Sequence, residues 1–528
     1  MIKTLTLSIK GMTCDHCEQT VSKALSSIDG IQEIDRISWI EKKAVIKAVD
    51  NVDTQAVSNV LQKKGYRLES IREYGFAPSP SSDYDFDLLI IGGGSAGFSG
   101  AIKAAEMGKS VIIVEKGTTG GTCVNVGCVP SKFIIGQVKK GKSWQEISIK
   151  RDQLVASLRK EKYEDIIESY KNKITLVKET ASIMNDHTIK LSDGRTISAE
   201  KILLATGSRP SIPQIPIDRR ASVIDSTGLL FRERLPSSLI IIGGRFIALE
   251  LGQAFSRLGT KVSIIQRSKH LIPQYNQEIS QAVEEIFKRE EIEVFTDTIL
   301  SEISYADELS VAHFSHQGKE TKVKAEVILM ATGRIGNTEN LCLESVGLKT
   351  DKQGFLQVHN NQFTDVESIM AAGDVLASPA LVYVAAKEGQ TAVNNAFNPD
   401  QILLDYSDVP EVIFTSPQIA RVGTVLEDEN NEIRIFPIGF TPYGLANDIA
   451  EGKIVLCRNR TTHKITGAEI VAEDAGNLIQ TITLAIHAGY TTAQLINNYF
   501  PYLTAVEGIK LAALTFDRDI HKLSCCAG

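Results

Sequence analysis

FDLLIIGGGSAGFSGAIKAAEMGKSVIIVEK, residues 86–116, decides the fold. LLII is a short continuous apolar run, the pattern of a strand buried on both faces. Gly92-x-Gly94-x-x-Gly97 follows it and opens a helix, and SVIIVEK is a second buried strand. Gly92 permits a tight turn, Gly94 lets the backbone approach a pyrophosphate, and Gly97 allows helix and strand to pack closely. The helix N-terminus faces the anionic phosphates. Glu115, at the end of the second strand, is placed to take ribose hydroxyls. This is a complete dinucleotide-binding unit, built on a parallel sheet.

The pattern returns at SSLIIIGGRFIALELGQAFSRLGTKVSIIQRS, residues 237–268, so the chain holds two nucleotide cofactors. Gly243 and Gly244 keep the turn. Arg245 stands where the second key glycine is expected, and Ala248 takes the place of the third. No acidic ribose anchor follows the second strand, which offers Arg267, Lys269 and His270 instead. Cations there suit a 2′-phosphate, favouring NADPH over NADH.

At 528 residues the chain exceeds one core, and about 150 residues per domain suggests three or four. It is 43% hydrophobic and 23% charged with net charge −7, which favours neither nucleic acid nor an anionic membrane as partner. No apolar run reaches the roughly 18 residues of a membrane span, and the alternating start MIKTLTLSIKGMTCDHC lacks the features of a signal peptide. A cytoplasmic protein is expected.

Six of the eight cysteines fall into close pairs: Cys14/Cys17, Cys123/Cys128 and Cys525/Cys526. In a reducing compartment such pairs indicate metal binding or redox chemistry. Cys123 and Cys128 would lie nearly ~9 Å apart in a regular helix, beyond disulfide reach. They therefore need a turn or a distorted first helical turn, where N–H groups also stabilise a thiolate. Adjacent Cα atoms such as those of Cys525 and Cys526 are about 3.8 Å apart, below the roughly 4.4–6.8 Å of relaxed disulfides. Two soft thiolates on a tail are better suited to gripping a metal ion. Cys342 and Cys457 are isolated.

Working outward, GFAPSPSSDYDF (75–86) reads as a flexible linker. Before it, a strand at 3–9, a helix at 17–28, two strands within 31–48, a helix at about 54–64 and a strand at YRLESI give βαββαβ, the ferredoxin-like order. From about residue 406 the strand patterns EVIFT, RIFPI, KIVLC and KITGAEIV mix with helices at 475–488 and 505–514, a separate α+β domain.

GGTCVNVGCVPSK (120–132) resembles the redox-active cysteine segment of the FAD-dependent pyridine nucleotide–disulfide oxidoreductases. The resemblance covers about residues 84–528. LLATGSRP (203–210) and LMATGRIGNTENL (329–341) are similar to that family's two ATG turns, and IMAAGDV (369–375) to its second FAD motif. It implies FAD contacts from Gly121, Thr122, Lys132, Thr206, Gly207 and Asp374, and places Gly333 in the second ATG turn. Cys128 is implied to contact the flavin and Cys123 to exchange with substrate, with Lys132 and Glu250 as an ion pair nearby.

That family's disulfide reductases carry a His-Pro-Thr-x-x-Glu motif whose histidine protonates the leaving thiol. This chain has Phe500-Pro501-Tyr502-Leu503-Thr504-Ala505-Val506-Glu507, without the histidine. PYLTAVEG followed by a helix and SCCAG instead resembles the mercuric reductase branch. The resemblance implies reduction of Hg(II) to elemental mercury in mercury resistance, a homodimer, and delivery of the ion by Cys525 and Cys526 into the other subunit's site. Tyr502 and Tyr163 match its pocket tyrosines. GMTCDHC (11–17) resembles the loop of heavy-metal-associated domains, with Cys14 and Cys17 as ligands. A disulfide or dihydrolipoamide reductase, or a metal-trafficking protein with an inactive core, are the alternatives. The expected organisation is a metal-binding domain at 1–74, a linker at 75–84, an FAD domain at 85–210 and 335–405, an NADPH domain at 211–334 and a dimerisation domain at 406–528.

Overall fold

The computed structural model describes residues 2–39, 42–49, 52–73 and 84–520, and the chain divides into two compact units, residues 1–83 and 84–528. In the first unit the element order is βαββαβ. Its antiparallel sheet runs in the order Ile31–Ser38, Lys43–Val49, Ile2–Lys10, Arg67–Glu73. Leu7, Ile9, Leu25, Ile46, Val57 and Leu61 form its core and are fully buried. The first helix spans Asp15–Leu25, starting and ending earlier than the apolar periodicity predicts. Cys14 is its extended N-cap, so the helix begins within the GMTCDHC loop itself. Its end is set by the turns that lead to Gly30, whose φ of +96° no other residue adopts cheaply.

In the second unit, Phe86–Ile91 and Val111–Val114 are the predicted parallel strands, and every residue of VIIV is buried. Between them runs the helix Ser95–Glu106. Ile174–Val177 and Thr196–Leu204 extend this sheet on either side. The chain then leaves, and Ile369–Ala371 returns to pair in parallel with Thr196–Leu204. The departed segment builds a second parallel sheet in the order Val223–Ile224, Val327–Met330, Ser238–Ile242, Lys261–Ile265, Glu293–Phe295. Both sheets place their glycine turns at the carboxyl ends of their strands, where doubly wound folds bind ligands.

The C-terminal strands form one antiparallel sheet in the order Glu411–Ile413, Gln418–Gly423, Ile465–Ala472, Lys453–Asn459, Asn431–Pro437. Helices Ala475–His487 and Glu507–Leu514 pack on it. A single apolar cluster joins Ile134 and Trp144 to Leu249 and Phe255 of the second sheet's helix and to Ile413 and Val471 of the C-terminal sheet. Phe255 is fully buried there, its ring 5.3 Å from Trp144. Truncating such a ring costs about 3–5 kcal/mol, so this cluster is what fixes the cysteine segment against the rest of the unit. No helix among the described residues is long and apolar enough to cross a membrane.

Candidate redox site

At the first glycine turn, Gly92 has φ +110°, and a Cβ there would stand 2.3 Å from the Ala205 carbonyl oxygen. A Cβ on Gly97 would stand 2.1 Å from the Gly92 oxygen. Both positions therefore require glycine. Glu115 accepts from the Gly93 and Gly117 amides, each at 2.6 Å, which holds its carboxylate at the mouth of the turn.

The cysteine segment begins against this turn. The Gly120 amide donates to the Gly93 oxygen at 2.9 Å, and a Cβ on Gly121 would lie 2.7 Å from Gly94 Cα. Gly121–Val126 is a short helix carrying Cys123, and Cys128 opens the next, Cys128–Val138. The required distortion is at Gly127, where a Cβ would meet Thr122 O at 3.0 Å and Cys123 Cα at 3.4 Å. Thr122 is exposed beside it. Both cysteines are free thiols and half-buried.

Their acidities diverge. The hydrogen bond from Cys123 pulls the Cys128 thiol down to about 7 against the effect of burial, with Lys132 and the segment's own N–H assisting. The same hydrogen bond, followed by burial, pushes the Cys123 thiol up. Cys128 is thus the more acidic thiol of the pair and Cys123 the less acidic. Lys132 Nζ pairs with Glu250 Oε2 at 2.6 Å, and the Phe414 amide donates to Glu250 Oε1 at 3.0 Å. Tyr163 lies on a π-helical turn, Lys160–Glu164, with its ring 4.7 Å from Phe98. Burial raises its hydroxyl pKa, a hydrogen bond with Ser95 opposes this, and the charges of Cys123 and Cys128 reach it.

Around the first ATG turn, Thr206 Oγ1 is buried without a hydrogen-bond partner among the described residues, and Gly207 has φ +69° with open space beyond it. Asp374 accepts from the Ser208 hydroxyl at 3.3 Å. Arg334 was not anticipated. Its Nε donates to Ser208 Oγ at 2.7 Å and lies 3.9 Å from Asp374. It follows Gly333, so the second ATG turn offered the signal, but only the fold brings it to the first.

The second turn repeats the first. Gly243 has φ +121°, and a Cβ there would stand 2.3 Å from Ala331 O, as one on Gly92 would from Ala205 O. Gly244 approaches Gln266, the residue that occupies the place of Glu115. Gln266 is a neutral replacement that the cationic run concealed. Arg267 and Lys269 are exposed immediately after it, and Ala248 is fully buried. Gly333 has φ +115° and faces open space where a side chain would begin.

In the C-terminal domain Phe500 packs against the core, in the place of the missing histidine. Glu507 is buried, and its Oε2 has no hydrogen-bond partner among the described residues. Tyr502 and Leu503 are exposed, 60% and 46%, on the same segment. Cys525 and Cys526 lie outside the described residues. In the first unit, the Cys14 and Cys17 sulfurs are 3.4 Å apart. The Thr13 amide, then the Tyr66 hydroxyl and Cys14, lower the Cys17 thiol to about 6.

Residues 86–389 match the pyridine nucleotide-disulphide oxidoreductase family, residues 409–513 its dimerisation domain, and residues 6–67 the heavy-metal-associated domain. A mercuric reductase of Staphylococcus aureus is 38% identical, with 99% of each chain covered. This chain belongs to the pyridine nucleotide-disulphide oxidoreductase family, in its mercuric reductase branch. A second member of the branch, from Streptomyces lividans, is 39% identical over 84% of this chain and 98% of its own. The oxidoreductase fold is shared with an HOCl-induced flavoprotein disulfide reductase of Escherichia coli, TM-score 0.75 at 23% identity, covering 81% of this chain and 99% of that one. The α/β architecture expected from the two glycine turns, with its preceding ferredoxin-like domain, is that of this family.

Proposed function

We infer that this chain is an NADPH-dependent mercuric reductase that uses FAD and a cysteine pair to reduce Hg(II) to elemental mercury. The first turn suits a flavin dinucleotide: its glycines leave no room for side chains, Glu115 stands at its mouth, and Thr206 offers a buried hydroxyl without a partner among the described residues. Gly92, Gly94, Gly97, Gly121, Thr122, Gly207 and Asp374 would complete that site, and Gly243, Gly244, Arg267, Lys269 and Gly333 would hold NADPH. Bound there, FAD supplies a two-electron relay between NADPH and the cysteine pair.

The chain's own groups do the rest. The hydrogen bond from Cys123, assisted by the charge of Lys132, lowers the Cys128 thiol to about 7, while Glu250, paired with Lys132, opposes this. Cys123 retains its proton until a soft cation displaces it, and the two sulfurs then form a dithiolate suited to Hg(II). Tyr163, and Tyr502 within the homodimer, would line the approach. Cys14 and Cys17, with one acidic thiol, would capture the ion when it is scarce. Cys525 and Cys526, acting within a homodimer, would strip competing thiols from the ion and pass it to the partner's Cys123 and Cys128. Cytoplasmic placement accords with the use of NADPH.

The observation that carries the reading is Phe500. A disulfide substrate leaves as a thiolate that needs a proton, and Phe500 supplies none. Transfer of a metal between dithiols has no such requirement. Purified protein should oxidise NADPH in the presence of Hg(II) with excess thiol, and should be slow with glutathione disulfide or lipoamide. Fast turnover of either disulfide would overturn the assignment, and no oxidation with any acceptor would leave a trafficking protein.

A further inference from the structure

The second glycine turn carries a side chain where the first has none, and the backbone tolerates it. Gly94 is closed over by Gly121. Arg245, in the corresponding place, is exposed and extended, with φ −114° and ψ −163°. It is the N-cap of the helix Phe246–Arg257, so its guanidinium adds to a terminus that already attracts anions.

The C-terminal domain packs against the same helix. The helix packs against the strand Glu411–Ile413, on which Glu411 stands opposite Arg421. Burial pushes the Glu411 carboxyl up, and the charges of Arg421 and Arg245 oppose it. The loop beneath the turn is braced from the same side. Ile272 N–H donates to Gly244 O at 2.8 Å, Arg421 Nη1 donates to Gln274 O at 2.8 Å, and Asn276 N–H donates to Glu469 Oε2 at 2.7 Å. The turn is thus held firmly while Arg245 stands in the field of a carboxylate from another domain.

We propose that Arg245 is a nucleotide-binding residue whose guanidinium contacts the pyrophosphate of NADPH. This rests on the NADPH reading of the second unit. A glycine lets backbone amides approach the pyrophosphate closely. Arginine exchanges that approach for a planar fork able to meet two phosphate oxygens. The carboxylate of Glu411, on the strand packed against this helix, weakens the site for an anion.

The test is equilibrium titration of the flavin-containing protein with NADP+ and with adenosine 2′-monophosphate, which lacks the pyrophosphate. Arg245→Ala should weaken NADP+ by about tenfold or more, the effect of losing a charge-assisted contact, and leave adenosine 2′-monophosphate unchanged. Arg245→Lys should recover part of the loss. Glu411→Gln should tighten NADP+. Replacing Arg267 and Lys269 should weaken both probes. Equal NADP+ affinity in wild type and Arg245→Ala, or equal weakening of both probes, would overturn the proposal. Repeating the titration with NAD+ separates the two ideas. A protein that prefers NAD+ yet loses it tenfold in Arg245→Ala would overturn the NADPH reading and keep this one.

Discussion

Lys132 and Glu250 meet at 2.6 Å although 118 residues separate them, and Glu250 is held from behind by the Phe414 amide. The pair links the helix that Cys128 opens to the helix of the second nucleotide unit. Lys132 lowers the Cys128 thiol pKa and Glu250 raises it. Lys132→Met should therefore shift Cys128 ionisation upward from about 7, by about one pH unit for a partly exposed cation. Glu250→Gln should shift it downward. Alkylation rate of Cys128 against pH, followed by peptide mass spectrometry, reads both. Shifts of the same sign would show that the pair acts through position and not through charge.

Gly127 separates the two cysteine helices, and an added methyl would press on Thr122 and Cys123. Gly127→Ala should keep full flavin content, because the first glycine turn is untouched. It should lose about 1–3 kcal/mol of stability, the usual effect of overpacking, and react sluggishly with a dithiol reagent. Wild-type stability and reactivity would mean that the break between the helices needs no glycine.

Glu469 is fully buried, and burial raises its carboxyl pKa from 4.5 to about 7. The folded form thus binds a proton that the unfolded chain has already released between those values. Stability contributed by this group is present below pH 4.5 and lost as pH rises through about 7. Glu469→Gln should remove that loss, so the difference in unfolding midpoint between variant and wild type should widen from pH 5 to pH 8 (approximate bounds of the titration). A constant difference would show that Glu469 is ionised throughout, held by Arg421 and the Asn276 amide.

Changing both Cys525 and Cys526 to Ala should leave flavin binding and reduction by NADPH intact, while turnover of thiol-buffered Hg(II) collapses. Mixing this variant with a Cys123→Ala, Cys128→Ala partner pairs an intact tail with an intact redox pair across the dimer. Partial return of activity is expected. Demonstrated heterodimers that remain inactive would show that the tail works within its own subunit or not at all.

Legibility in the sequence followed the range of the interaction. Gly92 and Gly97 announced themselves because a tight turn with close helix packing is a local demand, and Cys123 and Cys128 because five-residue spacing cannot be a regular helical pair. Arg334 was hidden, since its contact with Ser208 crosses between the two ATG turns. Gln266 was hidden for another reason: a neutral residue in an anchoring place carries no signal beside Arg267 and Lys269. The role of Lys132 with Glu250 came only through family resemblance, because nothing local says that two helices will meet.

The π turn at Lys160–Glu164 has a genetic consequence. Such a turn is an α-helix with one residue inserted, and removing that residue would restore a regular α-helical turn and re-aim the side chains within it. Tyr163 would then leave Phe98 and the cysteines without any change in its own codon. Single-residue deletions through this turn, and not substitutions alone, belong in any mutational survey of the pocket, since here the length of the chain, as much as the identity of its side chains, is what selection can read.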